Sequence, residues 1–161
     1  MSDSQRILDA IRRLVRLLRL SDRAARNQLG LSSAQLFVLH EVAKTPELSL
    51  KELADRTRTD QSTVSVVVGR VVERGLVKRT RSAVDTRRVE LSLTARGRAV
   101  LLKTPTTVAQ RKLDDALRQL SPADGATLSR ILARVVELMG EADAPAPMLF
   151  AEPGGEKKRQ R

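Results

Sequence analysis

Hydrophobic positions along the chain switch between helical and strand periods in an order that defines its elements. From residue 5 to 28, Ile7, Ile11, Leu14, Leu18 and Ala25 share one helical face, while Arg12, Arg16, Arg19, Arg23 and Arg26 recur on the opposite one. That spacing predicts a long amphipathic helix, its basic stripe either a solvated face or a contact for a DNA backbone. In "SSAQLFVLHEVAK", Ser32 and Gln35 can exchange side-chain-to-backbone hydrogen bonds and open a helix that runs to about Lys44. Ser49 and Glu52 in "SLKELADRT" do the same for a short helix over 50–57. After the turn "RTRTD", Asp60 suits the N-cap of a further helix that carries Val64, Val67, Val68, Val71 and Val72 at helical spacing. Such a run of valines also suits a strand, but length and the cap favour helix, and Gly75 supplies the stop.

After Gly75 the period becomes two. Val89, Leu91 and Leu93 alternate with Arg88, Glu90 and Ser92, which predicts a half-buried strand. "VKRTR" is its expected antiparallel partner, across a loop around residues 82–86. Thr94 can cap a helix, "ARGRAVLLK", that meets Pro105, where a kink or break is expected. That proline is either a hinge or a shape suited to packing. A helix resumes to about Leu120, and Ser121 with Pro122 opens the last one, whose face holds Leu128, Ile131, Leu132, Val135 and Met139. From Glu141 the chain is rich in Ala, Pro and Gly and is expected to lack stable structure, docking of Met148, Leu149 and Phe150 excepted.

The fold class that follows is mainly α with a small β-wing: a winged helix-turn-helix flanked by N- and C-terminal dimerisation helices. Its expected parts are an N-terminal packing helix (1–30), a DNA-binding lobe (31–98), C-terminal dimerisation helices (99–140) and a basic-ended tail (141–161).

Composition narrows the chemistry. The 161 residues suit one domain with a real core. With no cysteine, disulfides, thiolate metal sites and thiol redox sensing are excluded. One histidine, no glycine-rich phosphate loop and no convergent carboxylate pair argue against an enzyme, a metal or a cofactor. Phe37 and Phe150 are the only aromatics, too few for a binder that stacks on unpaired bases. Apolar runs too short to cross a membrane, and no signal-peptide pattern, lead to the expectation of a cytoplasmic protein without a membrane partner. The net charge of +11 points to a polyanion, and its placement is informative. Residues 50–98 hold twelve Lys and Arg against six acids, and the terminal "KKRQR" is basic too.

"STVSVVVGRVVERGLVKR", followed by "DTRRVELSLTARG", resembles the MarR family of bacterial transcriptional regulators. The first stretch is similar to that family's recognition helix and its exit at Gly75, Leu76 and Val77. The second is similar to its wing pattern at Asp85, Arg87, Leu93, Thr94 and Gly97. The resemblance runs from about residue 5 to 140 and implies an obligate dimer whose terminal helices interlock. It also implies that small anions or phenols act as effectors, so His40 has two readings. On the stripe with Leu36, Leu39 and Ala43 it is either a hydrogen-bonded core residue or a polar handle in an effector pocket.

On the recognition helix, Gln61, Ser62, Thr63, Ser65, Val66 and Arg70 are the candidate DNA contacts. Small hydroxyls, an amide and one arginine suit base edges and phosphates, and the helix N-terminus is expected to add free N–H groups for phosphate. Many family members carry arginine where this chain has Val66, which can only pack on a thymine methyl. In the wing the candidates are Arg79, Arg81, Asp85, Arg87 and Arg88. Asp85 either orients the Arg87 guanidinium for a minor groove, as the family pattern implies, or merely favours the turn. The function expected is a sequence-specific, double-stranded-DNA-binding repressor, ligand-responsive and homodimeric on a pseudo-palindromic operator. A sequence-indifferent architectural DNA binder and a winged-helix protein-interaction module are the rivals.

Overall fold

A computed structural model describes residues 2–85, 87–104, 109–144, 146 and 148–151. In chain order the elements are α1 (Asp3–Leu29), α2 (Ser33–Lys44), β1 (Leu48–Ser49), α3 (Leu50–Thr57) and α4 (Gln61–Glu73). They continue with β2 (Val77–Arg81), β3 (Val89–Leu93), α5 (Ala95–Leu102), α6 (Ala109–Arg118) and α7 (Pro122–Leu138). The helix starts are set by side chains that satisfy the orphan N–H groups of a first turn. Ser32 with Gln35 and Ser49 with Glu52 form the two expected capping boxes, and Ser2 with Gln5 forms a third. Asp60, Thr94 and Ser121 cap α4, α5 and α7. Gly75, at φ 68°, takes the left-handed turn that ends the run from α4 into β2. Pro105 lies outside the described residues.

The expected two-stranded wing is a three-stranded antiparallel sheet in the order β1-β3-β2. Leu48 pairs with Leu91, and Val77 with Leu93, so β3 is the central strand. The core lies in this lobe: Leu36, Val38 and Leu39 of α2 and Leu53 of α3 pack with Val64, Val68 and Val71 of α4 and Leu91 of β3. Burying eight such side chains supplies roughly 1.5–3 kcal/mol each against the unfolded chain, before conformational entropy is counted.

The arms are different. On α1 only Asp22 and Ala25 are buried, near its C-terminal end, and Ile7, Ile11 and Leu14 stay open to solvent. No residue of α7 is buried, and Ile131, Leu132 and Val135 are each more than two-fifths exposed. Asp22 fastens α1 to the lobe by accepting from the Ser33 amide at 2.8 Å, and Arg26 Nε, one turn on in the same helix, holds its other oxygen at 2.8 Å. Beyond Glu141 the chain was expected to lack structure with a docking exception, and Met148 is that exception, since it is buried in the core. Leu149 remains partly exposed, and the basic end 157–161 lies outside the described residues.

Candidate nucleic-acid interface

Helix α4 is anchored by its valines. Val64, Val67, Val68 and Val71 are buried, which turns Gln61, Ser62 and Val66 outward, with Thr63, Ser65 and Arg70 half-buried beside them. Val66 is 39% exposed, an apolar spot among hydroxyls and an amide. At the start of the helix the Asp60 carboxylate gathers three donors. It accepts from the Thr63 amide at 2.8 Å, from Thr63 Oγ1 at 2.5 Å and from the Ser62 hydroxyl. The bonds from Ser62 and Thr63 hold the Asp60 carboxyl far below the usual carboxylate range. Of the N–H groups expected to be free for phosphate at this helix N-terminus, that of Thr63 is therefore taken, and Asp60 places a negative charge there.

The wing tip is organised by two short side chains. Ser82, buried, receives the amides of Val84 at 3.3 Å and Asp85 at 3.4 Å on its hydroxyl. Asp85 Oδ1 accepts from the Arg87 backbone N–H at 2.9 Å. Of the two roles weighed for Asp85, the geometry is that of the turn, because its carboxylate holds the Arg87 main chain and not the guanidinium. Among the described residues the Arg87 guanidinium has no hydrogen-bonding or ionic partner, and neither do Arg79 and Arg81, exposed on β2.

Arg88 is placed differently from the other wing arginines. Its Nη2 lies 2.9 Å from Glu52 Oε2 and 3.1 Å from Oε1, its Nε is 3.7 Å from Glu90, and the Glu47 carbonyl is 3.4 Å away. Glu52 is held ionised, below its usual range, by the Ser49 bonds of the capping box first and by Arg88 after them. Arg88 thus ties the wing to the start of α3.

Behind the interface, Thr94 Oγ1 donates to the Gly75 carbonyl at 2.6 Å and accepts the Gly97 amide at 3.0 Å, joining the exit of α4 to the cap of α5. A further tether runs from the Arg74 guanidinium, just past α4, to the Gly30 carbonyl at the end of α1. Asp22, Arg74 and Ser82 were not among the sequence-derived candidates. The first two act across 11 and 44 residues, distances that no local motif reveals.

His40 is half-buried, and its Nε2 is buried without a hydrogen-bond partner among the described residues. Burial, then the charges of Arg111 and Lys44, lower its pKa, with Glu41 opposing. A cavity of about 250 Å³ between α1, α2 and α6 is lined by Leu17, Leu20, Leu36 and Lys112 and does not include His40. Among the described residues there is no group of acids and histidine able to hold a metal, and no helix long and apolar enough to cross a membrane.

Comparison with known proteins agrees with this architecture. A model of the MarR family matches residues 29–88. The "Putative transcriptional regulatory protein for hcr operon" of Thauera aromatica is 31% identical over 115 residues, 71% of this chain and 69% of its own length. The HTH-type transcriptional repressor MdtR of Bacillus subtilis (strain 168) is 37% identical over 68 residues, 42% of this chain, and the match spans 44% of that protein. Among solved structures, a MarR family transcriptional regulator from Streptomyces coelicolor in complex with DNA has a TM-score of 0.60 at 23% identity, over 91% of this chain and 97% of that one. Wild-type MarR from E. coli, apo form, has a TM-score of 0.53 at 24% identity, over 84% of this chain and 98% of that one. Those two likenesses concern the fold. With the sequence matches beside them, a buried valine face, an outward polar face and a basic wing have one family reading: the chain belongs to the MarR family of winged helix-turn-helix transcriptional regulators.

Proposed function

We propose that this regulator is a homodimeric repressor that reads a pseudo-palindromic operator in double-stranded DNA and responds to a small ligand. The observation that carries the DNA reading is the pairing of surfaces. An outward helix face of amide, hydroxyls and one valine lies beside a wing whose Arg79, Arg81 and Arg87 have no protein partner among the described residues. Uncommitted guanidinium groups suit phosphates or a narrow minor groove, and the helix face suits base edges. The wing residues that would touch DNA are Arg79, Arg81 and Arg87, with Asp85 shaping the tip and Arg88 bracing it.

Dimerisation is supported by the open apolar faces of α1 and α7, where Ile7, Ile11, Ile131, Leu132 and Val135 are exposed in the single chain. A second copy would bury them by symmetry, as isologous dimers do. Two recognition helices related by a two-fold axis then require half-sites centred about one helical turn, roughly 34–36 Å, apart. The apolar cavity between α1, α2 and α6, with Lys112 at its edge, is of a size for a small organic anion.

Competition among mixed genomic fragments tests the reading. Recovery of a few palindromic sites by a protein that sediments as a dimer is expected. Uniform recovery of all fragments would replace it with an architectural role, and recovery of none with a protein-interaction module.

A further inference from the structure

We propose that Asp60 is a positioning residue that fixes the hydrogen-bond polarity of the recognition helix, so that Ser62 and Thr63 meet DNA as acceptors and select amino-bearing base edges, adenine N6 or cytosine N4. The proposal rests on the reading of α4 as the DNA-reading helix.

A hydroxyl carries one hydrogen to donate and two lone pairs to accept with, so what it reads depends on where that hydrogen is held. An ionised carboxylate can only accept. Asp60 is kept ionised by its own partners, and both neighbouring hydroxyls lie at its two oxygens: Ser62 at Oδ1, and Thr63 Oγ1 at Oδ2 at 2.5 Å. In each contact the hydrogen must point to Asp60. What remains facing outward is lone pairs. The Thr63 amide, at 2.8 Å from Oδ1, pins the carboxylate in this orientation.

In the major groove the donors that could meet such lone pairs are adenine N6 and cytosine N4, while guanine O6 and N7, thymine O4 and every phosphate oxygen are acceptors. A hydroxyl whose hydrogen is already given away can bond the first pair and not the second. Turning either hydrogen outward would break a charge-assisted bond and leave the carboxylate with one donor fewer beside phosphates, which is unfavourable on both counts. Val66, exposed one turn along, adds contact to a thymine methyl, and Gln61 offers an amide that matches adenine on two atoms. Val66 and Gln61 both favour A·T pairs, and the two hydroxyls are compatible with them through adenine N6.

Asp60→Asn separates this role from capping. Asparagine caps a helix as well as aspartate does, yet its side-chain NH₂ must donate, so one of the two hydroxyls has to accept it and is free to donate outward. Selection from a randomised half-site library with the full chain should enrich adenine or cytosine opposite Ser62 and Thr63 for the native protein. The Asp60→Asn protein should admit guanine or thymine at one of those positions. Replacing the selected adenine by 2′-deoxynebularine, which lacks the amino group, should weaken the native protein about three- to tenfold. That replacement should leave Asp60→Asn less affected. The nebularine measurement needs no variant to fold. An unchanged base profile in Asp60→Asn, or indifference of the native protein to nebularine, overturns the proposal while leaving α4 as the reader. Failure of the native protein to select any sequence overturns both.

Discussion

Arg88 and Glu52 meet at 2.9 Å, and through that contact the wing is fastened to the first turn of α3, 36 residues earlier in the chain. An arginine so engaged is a poor phosphate ligand. Arg88→Ala should therefore leave the slope of log affinity against log salt unchanged, whereas Arg79→Ala or Arg81→Ala should lower it by about 0.9 for each phosphate that is no longer neutralised. Both partners are more than a third exposed, so the stability change should be small, on the order of 0–1 kcal/mol. A slope reduced by Arg88→Ala as much as by Arg79→Ala would show that Arg88 turns to DNA.

Asp85 acts on a main-chain amide, which separates two substitutions. Asparagine can accept the same N–H, so Asp85→Asn should bind operator nearly as the native protein does, while Asp85→Ala should lose part of the affinity. Arg87→Ala should cost about 1–3 kcal/mol of specific binding, the range for a base-edge contact. Fluorescence anisotropy on one operator measures all three. If Asp85→Asn proved as damaging as Asp85→Ala, the carboxylate charge would matter and the turn would not.

Gly97 sits where α5 crosses the exit of α4. A Cβ there would lie 2.0 Å from the Leu76 carbonyl oxygen and 3.0 Å from its carbon, both backbone atoms that cannot swing aside. Gly97→Ala should destabilise the lobe by roughly 1–3 kcal/mol or more, as overpacking does. Urea melts would show it as a lower midpoint, and an unchanged midpoint would mean that helix and hairpin can part freely.

His40 predicts an acid-side weakness. Its folded pKa lies below the ordinary 6.5, so the unfolded chain takes the proton first as pH falls. Stability from this group is thus level above about pH 6.5 and declines below it, until the lowered folded value is reached. His40→Gln should flatten the difference between melts at pH 7.5 and 5.5. An equal difference in both proteins would assign the acid sensitivity to other groups.

Helix starts were the most legible part of this chain, because capping boxes are local chemistry. Ser32 with Gln35 and Ser49 with Glu52 need only four residues to be recognised, and both formed. β1 was not legible. Two residues, Leu48 and Ser49, carry no period, and their pairing is imposed by β3, more than forty residues on. The same divide runs through the interface. The outward face of α4 followed from its valines, but the commitments of Arg88 and Asp85 depend on what stands opposite them in space. The spacing of arginines could not separate Arg88, which is tied inward, from Arg87, one residue earlier.

Among the described residues, the order β1-β3-β2 leaves β2 with an unpaired side along its length. Such an open ladder invites another chain to add a strand, and proteins discourage this with charged side chains on the exposed edge. Lys78, Arg79 and Arg81 occupy that position, so cations suited to a nucleic acid also keep neighbouring molecules from zipping together. Neutralising them would then do two things at once: weaken attraction to DNA and uncover a sticky edge. A protein carrying both Arg79→Ala and Arg81→Ala should precipitate at concentrations where the native chain stays in solution, and dilution, not added DNA, should bring it back.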